Sequence, residues 1–169
     1  MNVLRVLVLL LIIPFLSHGQ DTTYLKQQAK RFANATFKND HKTVIELTHP
    51  ALIELTGGPE MMQKLISDKV EALRKRGVLK FDGSVGSPGK FYNAGDEIHC
   101  LLPESIVLRV ANGHYTGRSY LLAITKDKGK TWRFLDVGNM PADVLQKLLP
   151  NFNSNLVIPP SGKPMYFAD

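Results

Sequence analysis

The spacing of apolar residues changes once along this chain, near Gly77, and that change constrains the fold more than any other feature of the sequence. Before it, apolar side chains recur every three or four residues, as at Leu25, Ala29 and Phe32, which is typical of amphipathic helices. After it, apolar and polar residues alternate in segments rich in β-branched and aromatic side chains, which is typical of strands. Helices followed by strands predict an α+β domain in which helices pack on one face of an antiparallel sheet.

Turn and capping residues indicate approximately where each helix and strand begins and ends. Thr22 or Thr23 is expected to cap the first helix. The N-terminal helices are predicted over about 22–38, 40–48 and 59–76, with one more helical turn at 51–56. Strands are predicted over about 78–85, 97–102, 105–111, 115–125 and 131–137, with a short one beginning at residue 91. Pro103 separates two of them, Asn112-Gly113 is a strong hairpin signal, and Pro141 begins a short C-terminal helix.

The first 19 residues have the layout of a cleavable secretory signal peptide. Arg5 supplies a positive charge, residues 6–16 form an apolar run, and Ser17 and Gly19 are the small residues that a signal peptidase needs. An uncleaved N-terminal anchor is the alternative, although the run is shorter than the roughly 20 residues of a membrane span. The sequence therefore predicts an exported protein.

The remainder is predicted to be one domain with a tail. No internal repeat or linker divides residues 20–150, which are expected to form the single α+β domain. Residues 151–169 are rich in proline, glycine and asparagine, and are expected to form an extended C-terminal tail. No later segment is apolar enough over a sufficient length to span a bilayer, so no transmembrane segment is expected after signal cleavage.

Cysteine use and charge limit the compartment and the partners. Cys100 is the only cysteine, so no intramolecular disulfide can form. Because small secreted eukaryotic domains usually depend on disulfides, an exported chain without one is expected in a bacterial envelope, either periplasmic or secreted. The net charge is +6, but basic and acidic residues are mixed and no arginine-rich arm is present, which argues against nucleic acid as a partner.

Three short motifs and the order of elements carry a resemblance. The motifs are Leu47-Thr48-His49-Pro50, Gly57-Gly58 and the run from Gly129 to Asp136, GKTWRFLD. In these the chain resembles a set of exported, uncharacterised proteins that are common in Bacteroidetes. In element order it resembles the cystatin-like, NTF2-like α+β fold, which implies three N-terminal helices packed into a strongly curved antiparallel sheet. The resemblance implies no particular activity, because such folds support enzymes, binding modules and scaffolds.

The segment from Thr125 to Trp132 fits the pattern [ST]-x-D-x-G-x-T-W. It resembles the Asp-box of sialidase-type propellers, where the motif is a hairpin turn and not a catalytic element. Asp127 can accept hydrogen bonds from turn amides, Gly129 can take a positive φ, and Trp132 can pack beneath. A structural hairpin is predicted, with glycan binding as the alternative.

A ligand cleft is the most specific functional hypothesis. In NTF2-like folds the curved sheet and the helices often enclose an apolar pocket with a few polar groups, which is a common kind of ligand site. Arg109 is a charge inside a strongly apolar strand and Asp136 ends another, and an unpaired buried charge is costly. We therefore predict that Arg109 and Asp136 form an ion pair in a cleft, with Tyr120 and Trp132 close by. In the alternative, Arg109 extends to water from a half-exposed strand.

Other polar residues have both structural and functional interpretations. Glu97 and His99 share one face of a strand, but a metal site needs three or four ligands, so neither a metal nor a cofactor is predicted. His49, at a helix end, is expected to bond free carbonyls, with a catalytic base as the alternative. Gly57-Gly58 is interpreted as a flexible cap before a helix rather than an anion site, and Cys100 as a buried small hydrophobe.

The function predicted from the sequence is an exported binding or interaction module. Its partner would be an unidentified small molecule or an envelope protein, and no catalytic motif is present. Whether it is an enzyme stays open, and a non-enzyme is favoured. The alternative is a small-pocket NTF2-like enzyme, an isomerase or hydrolase-like protein, that uses His99, Asp136 or Tyr120. That alternative requires a deep pocket with at least two ionisable groups whose pKa values are perturbed.

Overall fold

The computed structural model describes residues 21–169, so the predicted secretory signal at 1–19 lies outside the described residues. The helices are α1 (Thr22–Lys38), α2 (His41–Leu47), α3 (Pro50–Leu55), α4 (Pro59–Lys75) and α5 (Ala142–Leu148). The strands are β1 (Lys80–Val85), β2 (Phe91–Ala94), β3 (Glu97–Val110), β4 (Gly113–Thr125), β5 (Arg133–Asp136) and β6 (Met165–Ala168). The predicted α+β class, with helices followed by an antiparallel sheet, is confirmed.

Capping groups determine where the first helices begin and end. Asp21 caps α1, and not Thr22 or Thr23 as predicted, because its Oδ1 accepts hydrogen bonds of 2.9 Å from two backbone N–H groups of the first turn. Asn39 ends α1 in the left-handed conformation, and Asp40 then caps α2 in the same way as Asp21 caps α1.

Strands β3 and β4 form the centre of a sheet that curls into a half-barrel. They pair without a change of register from Ile98 opposite Thr125 to Val110 opposite Gly113, so no bulge reverses the direction of the side chains. β1 and β2 pair with different parts of the other edge of β3. β5 and β6 likewise pair with different parts of the other edge of β4.

Pro103 lies inside β3 instead of separating two strands as predicted. Its carbonyl accepts a hydrogen bond of 2.8 Å from the N–H of Gly86, on the edge where β3 passes from β2 to β1. The N–H and C=O groups of one strand residue point to the same side, so the N–H that proline lacks would point to this gap and not to β4. The strand therefore continues through the proline.

Each face of the sheet has its own apolar core. The face covered by α1, α2 and α4 is the helix-side face. Its core is formed by Leu25, Ala29, Phe32, Ala33, Ala35, Val44, Leu47, Val85, Cys100, Leu102, Leu121, Ala123, Trp132 and Phe134. The opposite face is covered by α5 and the chain that follows it. Its core is formed by Leu122, Ile124, Leu135, Val137, Leu145, Leu148, Leu149 and Leu156.

The C-terminal segment, residues 151–169, contains a strand that the sequence analysis did not predict. β6 pairs with β4 over residues 113–116, whereas β5 pairs with the same edge of β4 over residues 121–124. Residues 117–120 of β4 therefore lie between these two strands. Within the described part of the chain, every helix is too short or too polar to span a bilayer.

Candidate functional site

Two carboxyl groups lie close together on the helix-side face of the sheet. Glu104 is on β3 between Leu102 and Ile106, and its register partner on β4 is Ser119. Asp136, the last residue of β5, is on the neighbouring strand. The Ser119 hydroxyl donates a hydrogen bond of 2.6 Å to Asp136 Oδ1. Antiparallel pairing thus joins three polar side chains from three strands on one face.

These carboxyl groups line a cavity of about 230 Å³ between the helices and the sheet, which we call the inner cavity. Most of its wall is apolar and comes from helices α1 to α4 and the sheet: Phe32, Phe37, Val44, Leu52, Met62, Ile66, Ile106, Leu121 and Phe134. Its polar lining residues are Thr36, Thr48, Lys69, Glu104 and Asp136. Both threonine hydroxyls donate to carbonyls of their own helix, so Glu104, Asp136 and Lys69 carry the polar groups that remain for a ligand.

A second cavity of about 380 Å³ adjoins the first and shares Lys69, Ile106 and Asp136 with it. We call it the outer cavity, and the two together the cleft. The outer cavity is also lined by Tyr115, Gly117, Arg118 and Ser119 of β4 and by residues 161–164 before β6. It therefore lies beside residues 117–120 of β4, the part of that strand's edge between β5 and β6.

Glu104 is the electrostatically unusual group of the cleft. It is only 7% exposed, and within residues 21–169 its carboxyl group has neither a hydrogen-bond nor an ion-pair partner. Burial raises the pKa of Glu104 to about 8, and the nearby charge of Asp136 adds to this effect. At neutral pH the carboxyl group is therefore mostly protonated, and it can both donate and accept a hydrogen bond.

The prediction that Arg109 and Asp136 form an ion pair is wrong. Arg109 is opposite His114 and Asp136 is opposite Leu121, which places them roughly 24 Å apart along β4 at about 3.4 Å per residue. Arg109 is exposed and belongs to the set of β3 residues that alternates with Glu104, so it points to the other face. The alternative, an arginine that extends to water, describes what the structure shows.

The other predicted cleft residues are separated by the sheet. Trp132 is 1% exposed in the helix-side core, so its predicted burial against the helices is confirmed. Tyr120 packs against the opposite core. Asp136 is the one predicted site residue that lines the inner and outer cavities. A ligand-binding role for Arg109, Tyr120 and Trp132 stays a prediction.

Glu104 was missed because Pro103 was interpreted as a strand break. A signal for it is nevertheless present in the sequence. The alternation that places Cys100 and Leu102 on one face continues through Ile106 if β3 is a single strand. Glu104 then falls in the middle of an apolar face, where an acidic residue is unexpected.

The predicted hairpin turn at Thr125–Trp132 is confirmed. Asp127 accepts hydrogen bonds from the backbone N–H and the hydroxyl of Thr131, at 2.9 and 2.7 Å. The Thr125 hydroxyl oxygen accepts from the N–H of Gly129 at 3.0 Å, and Gly129 has the expected positive φ of 89°. The motif thus closes the connection between β4 and β5 and buries Trp132.

A second polar cluster lies around Glu97, at the other end of β3. Glu97 Oε2 is 2.9 Å from His99 Nε2, and its Oε1 is 3.7 Å from His49 Nε2 and 3.4 Å from Lys126 Nζ. Burial lowers the pKa of His49, and the charge of Glu97 partly opposes that effect. Across residues 21–169 no group of three or more histidine, cysteine, aspartate and glutamate side chains has the geometry to hold a metal ion.

The other residues considered from the sequence, His49, Gly57, Gly58 and Cys100, have surroundings that fit a structural role. His49 precedes Pro50 as the N-cap of α3, and its side chain contacts Glu97 and not the helix-end carbonyls that were predicted. Gly57 and Gly58 both have positive φ before α4, as expected of a cap that only glycine adopts easily. Cys100 is fully buried, and burial raises the pKa of its thiol to about 12, so it is a poor nucleophile.

Comparison with known proteins finds no match: no family model, no curated protein and no solved structure is similar to this chain.

Proposed function

We propose that this protein is an exported small-molecule-binding module and that the cleft around Glu104 and Asp136 is its binding site. The observation that carries the proposal is the Glu104 carboxyl group, which is buried in an apolar cavity without a partner among the described residues. A buried polar group without a partner costs folding free energy, and a bound ligand can supply the missing interaction.

The shape and chemistry of the cleft support this proposal. Ligand sites are commonly concave and mostly apolar, with a few polar groups that orient the bound molecule. The inner cavity has this composition, and the outer cavity extends it to the gap between β5 and β6. An NTF2-like fold, in which helices and a curved sheet enclose such a cavity, is part of the proposal and is supported by the order of elements. Export to the periplasm or the medium is supported by the layout of residues 1–19.

An enzyme of the small-pocket type is the second candidate. It is favoured by one observation: a carboxyl group that is protonated near neutral pH lies next to a second carboxyl group in an apolar cleft. Such a pair can move a proton to and from a ligand, as an isomerase or a hydrolase requires. In such an enzyme Glu104 and Asp136 would be the acid and the base, because His99 and Tyr120 belong to the opposite face of the sheet.

The binding proposal is tested by blocking the inner cavity. Ile66 is half-buried on α4 and lines this cavity, whereas its neighbour Leu65 is exposed and does not. Ile66→Phe is expected to fill the cavity, and Leu65→Phe is the matched control with the same added ring. Native mass spectrometry of the exported proteins should detect a small molecule on the wild type and on Leu65→Phe, and much less on Ile66→Phe. Equal amounts on both variants, or none on the wild type, would contradict the proposal.

A further inference from the structure

The inner cavity has an excess of acidic over basic groups. Glu104 and Asp136 both line it, and Lys69 is its one basic lining residue among residues 21–169. Lys69 is exposed on α4, and its ammonium group has no carboxylate within 4.0 Å in the described chain. No cation among residues 21–169 therefore neutralises Glu104, although this residue is only 7% exposed and lines the cavity.

The walls of the inner cavity suit the apolar part of a ligand. Three phenylalanine rings line it, and two of them, Phe32 and Phe134, are stacked with their centroids 5.3 Å apart. The third is Phe37, from the last turn of α1. Aromatic side chains present a large apolar surface, so the apolar body of a ligand can pack against them.

We propose that the inner cavity binds the ammonium group of an organic amine, with the apolar body of the amine packed against the phenylalanine rings. This inference rests on the proposed function, because it names the class of ligand for the same cleft. The amine would form an ion pair with Glu104, and Asp136 would supply a second acidic oxygen near the ammonium group. Arg118 and Lys163 line the outer cavity with Asp136, but within residues 21–169 neither of them lies within 4.0 Å of a carboxylate oxygen.

Proton release is a consequence of this proposal. The titratable groups that face Glu104 in the inner cavity are Asp136 from β5 and Lys69 from α4. The other elements around it present non-titratable residues: Thr36 of α1, Thr48 after α2, Leu52 of α3, Val85 of β1 and Ser119 of β4. Glu104 must lose its proton to form the ion pair, so binding an amine at pH 7 releases close to one proton, and affinity rises with pH.

The test uses three probes with nearly the same body and different charge: 2-phenylethylamine, 2-phenylethanol and phenylacetate. Isothermal titration calorimetry of the full exported protein is expected to show the amine binding at least tenfold more tightly than the alcohol, and phenylacetate binding least. The Kd of the amine should fall about tenfold from pH 6 to pH 7, because the ionised fraction of Glu104 rises about tenfold. Titrations in two buffers of different ionisation enthalpy measure the released proton.

Two variants separate the possible outcomes. Glu104→Gln should remove the proton release and the pH dependence of amine binding, and Ser105→Ala is the matched control on the adjacent position of β3. If the alcohol binds as tightly as the amine, the amine inference is overturned and the cleft remains a binding site. Binding that is unchanged in Glu104→Gln also overturns it. If none of the probes binds, the inference fails, and the native mass spectra of the Ile66→Phe and Leu65→Phe pair decide the proposed function independently.

Discussion

Glu97 and Glu104 lie on the same strand, are 8% and 7% exposed, and have opposite surroundings. Glu97 lies within 4 Å of His49, His99 and Lys126, whereas Glu104 has no such neighbour among residues 21–169 and faces a cavity. Burial of a carboxylate is costly unless cations and hydrogen-bond donors replace the lost water. Near Glu97 the protein supplies these groups itself. Near Glu104 the described residues supply no such groups, so the carboxyl group is neutralised by a proton or by a bound ligand. The region around Glu104 is therefore the candidate site.

The largest expected effect on stability is that of Trp132→Ala. Because it does not depend on pH, it is a reference for the two glutamate variants. Trp132 is buried on the same helix-side face as Glu104, but its surroundings are apolar. Trp132→Ala should reduce the free energy of unfolding by about 3–5 kcal/mol at every pH, because a large aromatic ring leaves a cavity that the core cannot fill. Equilibrium unfolding in urea measures this loss. A loss below about 1 kcal/mol would mean that the indole ring contributes little to the core.

The second prediction concerns the unpaired carboxyl group. Because the pKa of Glu104 is about 8 in the folded protein and near 4.5 when the chain is unfolded, the unfolded chain releases this proton more easily, and stability falls as the pH rises through that window. Glu104→Gln removes the effect. It should increase the free energy of unfolding by about 3 kcal/mol at pH 7, and change it little at pH 4. Urea titrations at pH 4, 7 and 9 test this, and a change that does not vary with pH would contradict the assigned environment.

The same substitution at the paired carboxyl group should have the opposite sign. Glu97→Gln removes the charge that contacts His99 and Lys126, so both lose a strong acceptor in a largely buried site. We expect a loss of about 1–3 kcal/mol at pH 7. The pair of Glu→Gln variants on one strand is therefore the direct test of the comparison, with the same measurement for both. A gain of stability at position 97 would show that the histidines and the lysine do not compensate the buried charge.

The smallest expected effect is the acid response of the Glu97 cluster. Burial lowers the pKa of His49 below its usual 6.5, so the unfolded chain binds a proton more readily than the folded protein does. Stability is therefore lost as the pH falls below 6.5. His49→Gln removes this titration, and its unfolding free energy should fall less between pH 6.5 and pH 5 than that of the wild type. A steeper decline in the variant would show that Glu97 outweighs burial at His49.

Local patterns were sufficient for some parts of the structure and not for others. The turn from Thr125 to Trp132 was predicted correctly because its hydrogen bonds join residues at most four positions apart. The prediction of an ion pair between Arg109 and Asp136 was wrong, because two charges that interrupt apolar strands need not be neighbours in the sheet. The constant register of β3 with β4 places them at different ends of the sheet, and that register depends on all residues of both strands.

The candidate site was predictable only in part. Asp136 could be singled out from the sequence, because it is a charge at the end of an apolar strand. Glu104 was missed, because Pro103 was interpreted as a break between two strands. Pro103 is accommodated within β3 because β1 and β2 pair with different parts of its edge, and the sequence of β3 alone contains no information about that gap.

The amino-acid sequence by itself determined the helices, most of the strands and the α+β class, because hydrophobic period and turn residues act over a few positions. The tertiary structure decided which polar residues share a cavity and that β6 pairs with β4. It also decided that Glu97 contacts Lys126, His49 and His99, whereas Glu104 has no such neighbour among residues 21–169. These outcomes depend on contacts between residues far apart in the chain. The free energy of a buried charge is set by those neighbours and not by the residue type alone.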